Sequence, residues 1–414
     1  MSKVAFLSLP VHGHVNPSLS LVKELADRGE EVIYYANPGF KAAVETTGAQ
    51  YRRYSGALSD DISGLSKNMA EFPPFLMSIC KEILDCELEN IRRENFDYII
   101  YDYVAPWGRY LSQALQLPAV CSVPIFAFNR YVFKMIRGLG AVKITPSGLY
   151  KKIRSIRKAL GIRKSINKTH GLKGPKIREI YFCKSDLNIV YTSAYFQPFA
   201  ETFDDSFHFT GPALSVRQAQ QDHDFPWQQL GEKPLVYISL GTLFNFDKAL
   251  FQPFFEAFAN EDYQVILSCG GGLQPETFGD IPGDFIVQHF VPQLKILQRA
   301  NVFITHGGMN SASEGLYYGV PLIALPQMAE QAVVAQRVED LGAGIHLRKV
   351  DITPASLRKS VERILKDETY RHNARRVGDS FAPEKTGGIK KAVDIIFAAK
   401  QKWGIGKKHE AMYV

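Results

Sequence analysis

The run VPQLKILQRANVFITHGGMNSASEGLYYGVPLIALPQMAEQ, residues 291–331, decides how this chain is built. Its apolar stretch 302–305 reads as a buried strand, and it runs into His306-Gly307-Gly308 before a short helix opens with Asn310 and Ser311. A second apolar run, VPLIALP, follows that helix, which completes a strand-helix-strand unit of a parallel sheet. Backbone N–H groups at such a helix start, approached closely across Gly307 and Gly308, form an anion site suited to a diphosphate. Glu314 lies three and four residues beyond Ser311 and Asn310, so it projects from nearly the same face and can accept hydrogen bonds from a ribose diol. Glu330-Gln331, just after the next strand, offers a carboxylate and an amide to a polyhydroxylated group. Each residue alone could be a cap or a surface polar group; their order together argues for a nucleotide-diphosphate ligand.

The same alternation extends in both directions. Upstream lie PLVYISLGT, a helix at about 247–259, YQVILSCGGG and FIVQHF; downstream lie a helix at about 329–341, IHL, and helices at about 354–366 and 385–403. The first half repeats it with KVAFLSL at 3–9, a helix ended by Gly29, EEVIYYA, a long helix carrying Ile79, Ile83, Leu84 and Leu88, DYIIYDY, a helix near 106–116, PAVCSV, LNIVY and FHFTGP. Between the halves, residues 214–233 are polar, Gln-rich and without apolar periodicity, as in a linker. The expected architecture is α/β: two doubly wound, Rossmann-like parallel-sheet domains facing a central cleft. The boundaries are a first domain at 1–213, a linker at 214–233, a second domain at 234–384, and a helix with a basic tail at 385–414.

In the first domain, His12 and His14 flank Gly13 in the loop expected after the first strand, before a helix that Asn16 can cap and Pro17 can begin. A histidine there faces the cleft and can serve as a general base, because its reference pKa is near neutrality. Asp102 ends the IIYDY strand at the same sheet edge, where it can orient such a histidine or simply cap the turn before Ala105-Pro106. Two histidines this close in the chain have no nearby Cys, Asp or Glu to complete a tetrahedral metal set, so no metal is expected. Asp222-His223-Asp224 matches a D-x-D string, but it lies in the polar linker and reads as solvated.

These motifs, in this order, resemble the UDP-dependent glycosyltransferases of the two-domain type B fold, and the likeness covers essentially the whole chain through HGHVNP, IIYDY, SLGT at 239–242 and the 291–331 signature. Asn16-Pro17 after the histidine and Glu330-Gln331 at the end of the signature resemble the bacterial macrolide and flavonoid group. The resemblance implies that Val291 and Gln293 contact uracil, that His306, Asn310, Ser311 and Thr242 hold the diphosphate around Gly308, that Glu314 takes the ribose hydroxyls, and that Glu330 with Gln331 takes the sugar. It further implies His14 as the base, Asp102 as its partner, inversion at the anomeric carbon, UDP-glucose or a related UDP-sugar as co-substrate, and no metal cofactor. Phe290 and Met309 stand where the family often has Trp near uracil and sugar.

Composition sets the limits. With 414 residues, 46% hydrophobic and 22% charged, the chain can bury the cores of two domains, so wholesale disorder is excluded. Five cysteines without a C-x-x-C pair, and a start lacking a basic, apolar leader, point to a cytoplasmic protein. No acidic residue occurs between Asp102 and Glu179, while fourteen Lys and Arg fall from Lys134 to Arg178. One such insertion, poor in aromatics, is not a nucleic-acid surface; it is either a solvated helical face or a basic amphipathic segment that meets an anionic membrane or overlies the cleft. The expected acceptor is a hydrophobic small molecule, because Phe72, Phe75, Trp107, Phe126, Phe128, Tyr131 and Phe133 follow strand ends or lie in loops of the first domain. Two rivals remain: glycosylation of an envelope lipid at a membrane face, and a non-catalytic nucleotide-sugar binding protein.

Overall fold

A computed structural model of the chain describes residues 1–54, 56–58, 71–139, 146–176, 179–180, 182–213, 225–241, 248–381 and 388–405. In the first domain, β1 (Lys3–Leu7), β2 (Glu31–Ala36), β3 (Gln50–Arg53), β4 (Tyr98–Asp102), β5 (Ala119–Val123), β6 (Leu187–Val190) and β7 (Phe207–Phe209) form one sheet. Their order is β3-β2-β1-β4-β5-β6-β7, and every pairing is parallel. The second domain contributes β8 (Leu235–Ser239), β9 (Gln264–Ser268), β10 (Phe285–Gln288), β11 (Val302–Thr305), β12 (Leu322–Ala324) and β13 (Gly344–His346). These are also all parallel, in the order β10-β9-β8-β11-β12-β13. Helices cover both faces, so the central strands are apolar runs without alternation; β1, β4, β5 and β8 are almost wholly buried. The edge strand β3, with sequence QYRR, is polar and mostly exposed, and so carries no such signal.

Strand order reverses beside β1 in the first sheet and beside β8 in the second. The crevices therefore open between the ends of β1 and β4, and of β8 and β11. One apolar cluster crosses between the domains, joining Phe126, Val132, Ile136 and Phe196 to Val334, Val338 and Phe381. Beside it, Arg337 donates to the carbonyls of Tyr195 at 2.6 Å and Phe196 at 3.1 Å. The chain crosses back close to where it left. A Cβ on Gly388 would lie 2.0 Å from the Thr210 carbonyl oxygen, and one on Gly211 2.5 Å from that of Phe381, so only glycine permits the two crossings to pass.

The final helix, Gly388–Lys402, thus returns to the first domain and packs on the helix His12–Asp27. Arg28 pairs with Asp394 at its exposed side. Buried beneath, Lys400 pairs with Glu30, whose second oxygen accepts from the Tyr98 hydroxyl at 2.8 Å. Lys400→Met strands a buried carboxylate and is expected to cost about 3 kcal/mol. A thermal melt should show the first domain's transition lowered by roughly 6–12 °C. Adding Glu30→Gln to that variant should restore part of the loss; an unchanged melt for the single variant would sink the assignment.

The basic segment contains two helices that the residue pattern left open. Arg130–Gly138 is capped by Asn129, whose side chain accepts from the N–H groups of Tyr131 and Val132. Pro146–His170 packs along the helix Phe72–Cys86 through Ser155, Ala159 and Ile166. The long helix expected to run on to Leu88 ends at Cys86, and Leu88 starts a short one, Leu88–Arg93. Most of the linker, 214–224, and the D-x-D string within it lie outside the described residues. No helix among the described residues is long and apolar enough to cross a membrane.

Candidate active site

The turn after β1 differs from its expected form. The helix starts at His12 behind the extended residue Val11, five residues before Pro17, so His12 and His14 sit in its first turn and Asn16 does not cap it. Pro17 lies inside the helix. Lacking an N–H, it leaves the Gly13 carbonyl without its i+4 helical donor. That carbonyl instead accepts from Asn310 Nδ2 of the second domain, at 3.3 Å. The Asn-Pro pair is a sound local start signal, but proline's fixed φ also suits a helix interior when another donor satisfies the freed carbonyl. Pro17→Ala supplies the missing N–H, so melting temperature is expected to rise while the Gly13 carbonyl is shared between that N–H and Asn310. If that sharing weakens the Asn310 bond, at most about 1 kcal/mol is lost, which corresponds to no more than a roughly fivefold rise in KM for the nucleotide sugar. Calorimetry and the donor KM read the two effects separately.

His14 Nδ1 lies 2.8 Å from Asp102 Oδ2. Asp102 is buried at the end of β4, and its other oxygen accepts from the Val104 N–H at 2.8 Å, which fixes the carboxylate. Since a carboxylate only accepts, Nδ1 of a neutral His14 carries the proton and Nε2 is left with its lone pair. Burial alone would lower the His14 pKa, but the charge and hydrogen bond of Asp102, aided by Glu330, reverse this and raise it above 6.5. Behind the turn, Trp107 donates to the Tyr54 hydroxyl at 3.2 Å, and that hydroxyl donates to the Ser8 carbonyl at 3.0 Å.

Across the cleft, β11 ends at Thr305, His306 follows it, and the helix Met309–Tyr317 starts behind Gly308, with Asn310 and the partly buried Ser311 in its first turn. The His306 ring is confined between two glycines. A Cβ on Gly308 would approach Nε2 to 2.4 Å, and one on Gly241, where φ is +83°, would come within 2.7 Å of Cε1. Burial pushes the His306 pKa down to about 4 against a hydrogen bond with the Ser239 backbone, so the ring is neutral near pH 7. Glu314 is buried and accepts from Gln293 Nε2. Tyr237 on β8 donates to Gln293 Oε1 at 2.7 Å, which sets the amide's orientation.

Glu330 and Gln331 occupy the first turn of the helix Ala329–Asp340. The Gln331 side-chain oxygen accepts from the N–H groups of Gln327 at 2.9 Å and Met328 at 3.1 Å, so its NH2 is the end left for a ligand. Burial raises the Glu330 pKa, while its own backbone N–H and the charge of His14 act the other way. The Val291 side chain is packed into the interdomain apolar cluster. Thr242 lies outside the described residues. His14, Asp102, Asn310 and Glu330 thus converge on one cleft, with Gln293 and Glu314 joined at its donor side.

Of the expected acceptor aromatics, Trp107 and Phe126 are core, whereas Tyr131 and Phe133 are exposed. Beyond the carboxyl ends of β4 and β5, Phe182 stacks on Phe128 at 4.2 Å and meets Tyr103 at 5.3 Å and Phe133 at 5.9 Å. The residue pattern did not mark Phe182 or Tyr237: Phe182 stands outside any strand, and Tyr237 is one more apolar residue of PLVYISLGT.

The chain is similar to known proteins in sequence and in fold. Residues 254–388 match the model of the erythromycin biosynthesis protein CIII-like C-terminal domain. The NDP-glycosyltransferase YjiC of Bacillus licheniformis is 37% identical over 95% of this chain and 97% of its own. The uncharacterized UDP-glucosyltransferase YojK of Bacillus subtilis is 33% identical over 97% and 98%. Among solved structures, the calicheamicin glycosyltransferase CalG4 superposes with a TM-score of 0.78 at 28% identity, covering 97% of this chain and 98% of that one. Full-length identity above 30% and two sheets of the same order place this chain in the UDP-dependent glycosyltransferase family of type B fold, within its bacterial macrolide glycosyltransferase-like group, and make it a glycosyltransferase.

Proposed function

We propose that the protein is an inverting transferase that moves a hexose, glucose or a close relative, from a UDP-sugar to a hydroxyl of a hydrophobic small molecule such as a macrolide, flavonoid or other phenol. The observation that carries this reading is the 2.8 Å His14–Asp102 pair facing the start of the donor-side helix across the Gly13–Asn310 contact. His14 Nε2 takes the acceptor's hydroxyl proton as the oxygen attacks the anomeric carbon from the face opposite UDP. The bond from that carbon to the diphosphate breaks, and its electron pair leaves with UDP. The helix N–H groups, Asn310, Ser311 and Thr242 receive the developing charge beside the neutral His306 ring, while Gln293 and Glu314 hold the nucleoside and Glu330 with Gln331 the sugar. This arrangement assigns no role to a metal. The Phe128, Phe133 and Phe182 rings support an apolar, aromatic acceptor. Mass spectrometry of products from UDP-glucose and a panel of phenols and macrolides, with EDTA present, is expected to show a hexose adduct from the wild type and none from His14→Ala. UDP binding without any adduct would instead favour the non-catalytic alternative.

A further inference from the structure

The helix Pro146–His170 carries two apolar stripes, and the fold uses only one of them. Ser155, Ala159 and Ile166 are buried on the side from which this helix packs on the helix Phe72–Cys86. Leu149, Ile153 and Leu160, with the partly buried Ile156 between them, recur at the spacing of a second stripe, about a third of a turn round the helix. This stripe is uncovered: Leu149 is 46% exposed, Ile153 43% and Leu160 38%, with Tyr150 at 69% beside it. Lys151, Lys152, Arg154, Arg157 and Lys158, all exposed, flank it, and no Asp or Glu lies between Asp102 and Glu179 to offset them.

The position of the stripe is defined by an ion pair. His170 Nε2 lies 2.8 Å from Asp85 Oδ1, so the two helices end together and run parallel. Phe72–Cys86 leads back toward β4, antiparallel to the strands, which puts its first residues at the carboxyl edge of the sheet. The basic helix is longer, at 25 residues against 15. Its Leu149–Ile153 end therefore extends beyond Phe72 on the cleft side.

We infer that this helix face docks the protein on an anionic phospholipid bilayer, with Leu149, Ile153 and Leu160 entering the acyl boundary and the flanking Lys and Arg meeting the headgroups. Aliphatic residues beside unopposed basic charge fit an interface between hydrocarbon and anions; a nucleic acid would use the charge and leave the aliphatic stripe in water. Docking would set the cleft mouth beside the phase into which apolar acceptors partition. The inference is independent of which sugar is moved or which residue is the base.

The test is co-sedimentation of the full chain with vesicles of about 30% phosphatidylglycerol in phosphatidylcholine, or of phosphatidylcholine alone, at ~50 and ~500 mM salt. Binding is expected to the anionic vesicles only, weakened at least tenfold by the higher salt. Lys151→Gln/Arg154→Gln/Lys158→Gln should weaken it roughly a hundredfold, and Leu149→Ser/Ile153→Ser at least tenfold, with melting temperature and transfer to a soluble acceptor unchanged in both. Absence of binding to anionic vesicles at low salt overturns the inference. So does binding that Leu149→Ser/Ile153→Ser leaves intact, or an equal affinity for single-stranded RNA, since either reduces the surface to a general polyanion site.

Discussion

Replacing His14 with alanine is expected to lower transfer about a thousandfold while UDP affinity stays within about twofold, because general-base catalysis contributes on the order of 10²–10⁴ and the donor site lies in the other domain. Titration calorimetry with UDP, beside initial rates at saturating donor, separates the two. The pH profile identifies the group. As the proposed base His14 would act only when neutral, and Asp102 holds its pKa above 6.5, so kcat/KM for the acceptor should fall as pH drops through a value above 6.5. For stability the sign is opposite: the raised pKa stabilises the fold below about 6.5 and that contribution is lost as pH rises through the folded value. Asp102→Asn removes the two larger raising interactions and leaves burial opposed only by the weaker pull of Glu330, so the acid limb should move below 6.5 while the rate falls about a hundredfold. An acid limb that stays in place would show that another group titrates.

The second large effect comes from the glycine beside the donor-site imidazole. Gly308→Ala puts a Cβ 2.4 Å from His306 Nε2 if nothing moves, so the ring must rotate away or the helix start must shift. On the proposed reading either change misplaces the groups that hold the diphosphate, and UDP affinity is expected to drop about a hundredfold, near the loss of one or two charge-assisted hydrogen bonds. In a His306→Ala background the clash is gone, and the same substitution should cost less than about threefold. Equal losses in both backgrounds would place the effect in the backbone of the helix start instead of in the ring. Gly241→Ala is expected to behave similarly, with added strain from its positive φ.

How much was legible follows from where each signal lies. Runs such as VAFL, IIYD and VYIS read as buried parallel strands because both sheet faces are covered, and strand-end residues such as His306 and Asp102 mark the ligand edge of any such sheet. The edge strand Gln50–Arg53 had no apolar run to show. The helix Pro146–His170 was obscured by its eight basic residues, since only a narrow stripe is buried and propensity alone cannot tell a docked helix from a solvated one. His14 was expected in a loop but lies in the first turn of a helix, because the fate of the Gly13 carbonyl depends on a side chain about three hundred residues away.

The sequence by itself determined the two parallel sheets, the cleft-facing motifs and the order of the donor signature, because these rest on periodicity and on residues close together in the chain. Only the tertiary structure decided that His14 meets Asp102 88 residues on, that Tyr237 orients Gln293 on Glu314, and that the last helix returns to seat Lys400 on Glu30. A hydrogen bond between distant residues depends on distance and direction in three dimensions, neither of which local spacing encodes. The same holds for the protonation state of each histidine: two imidazoles with one reference pKa are driven apart, His14 up by a buried carboxylate and His306 down by burial.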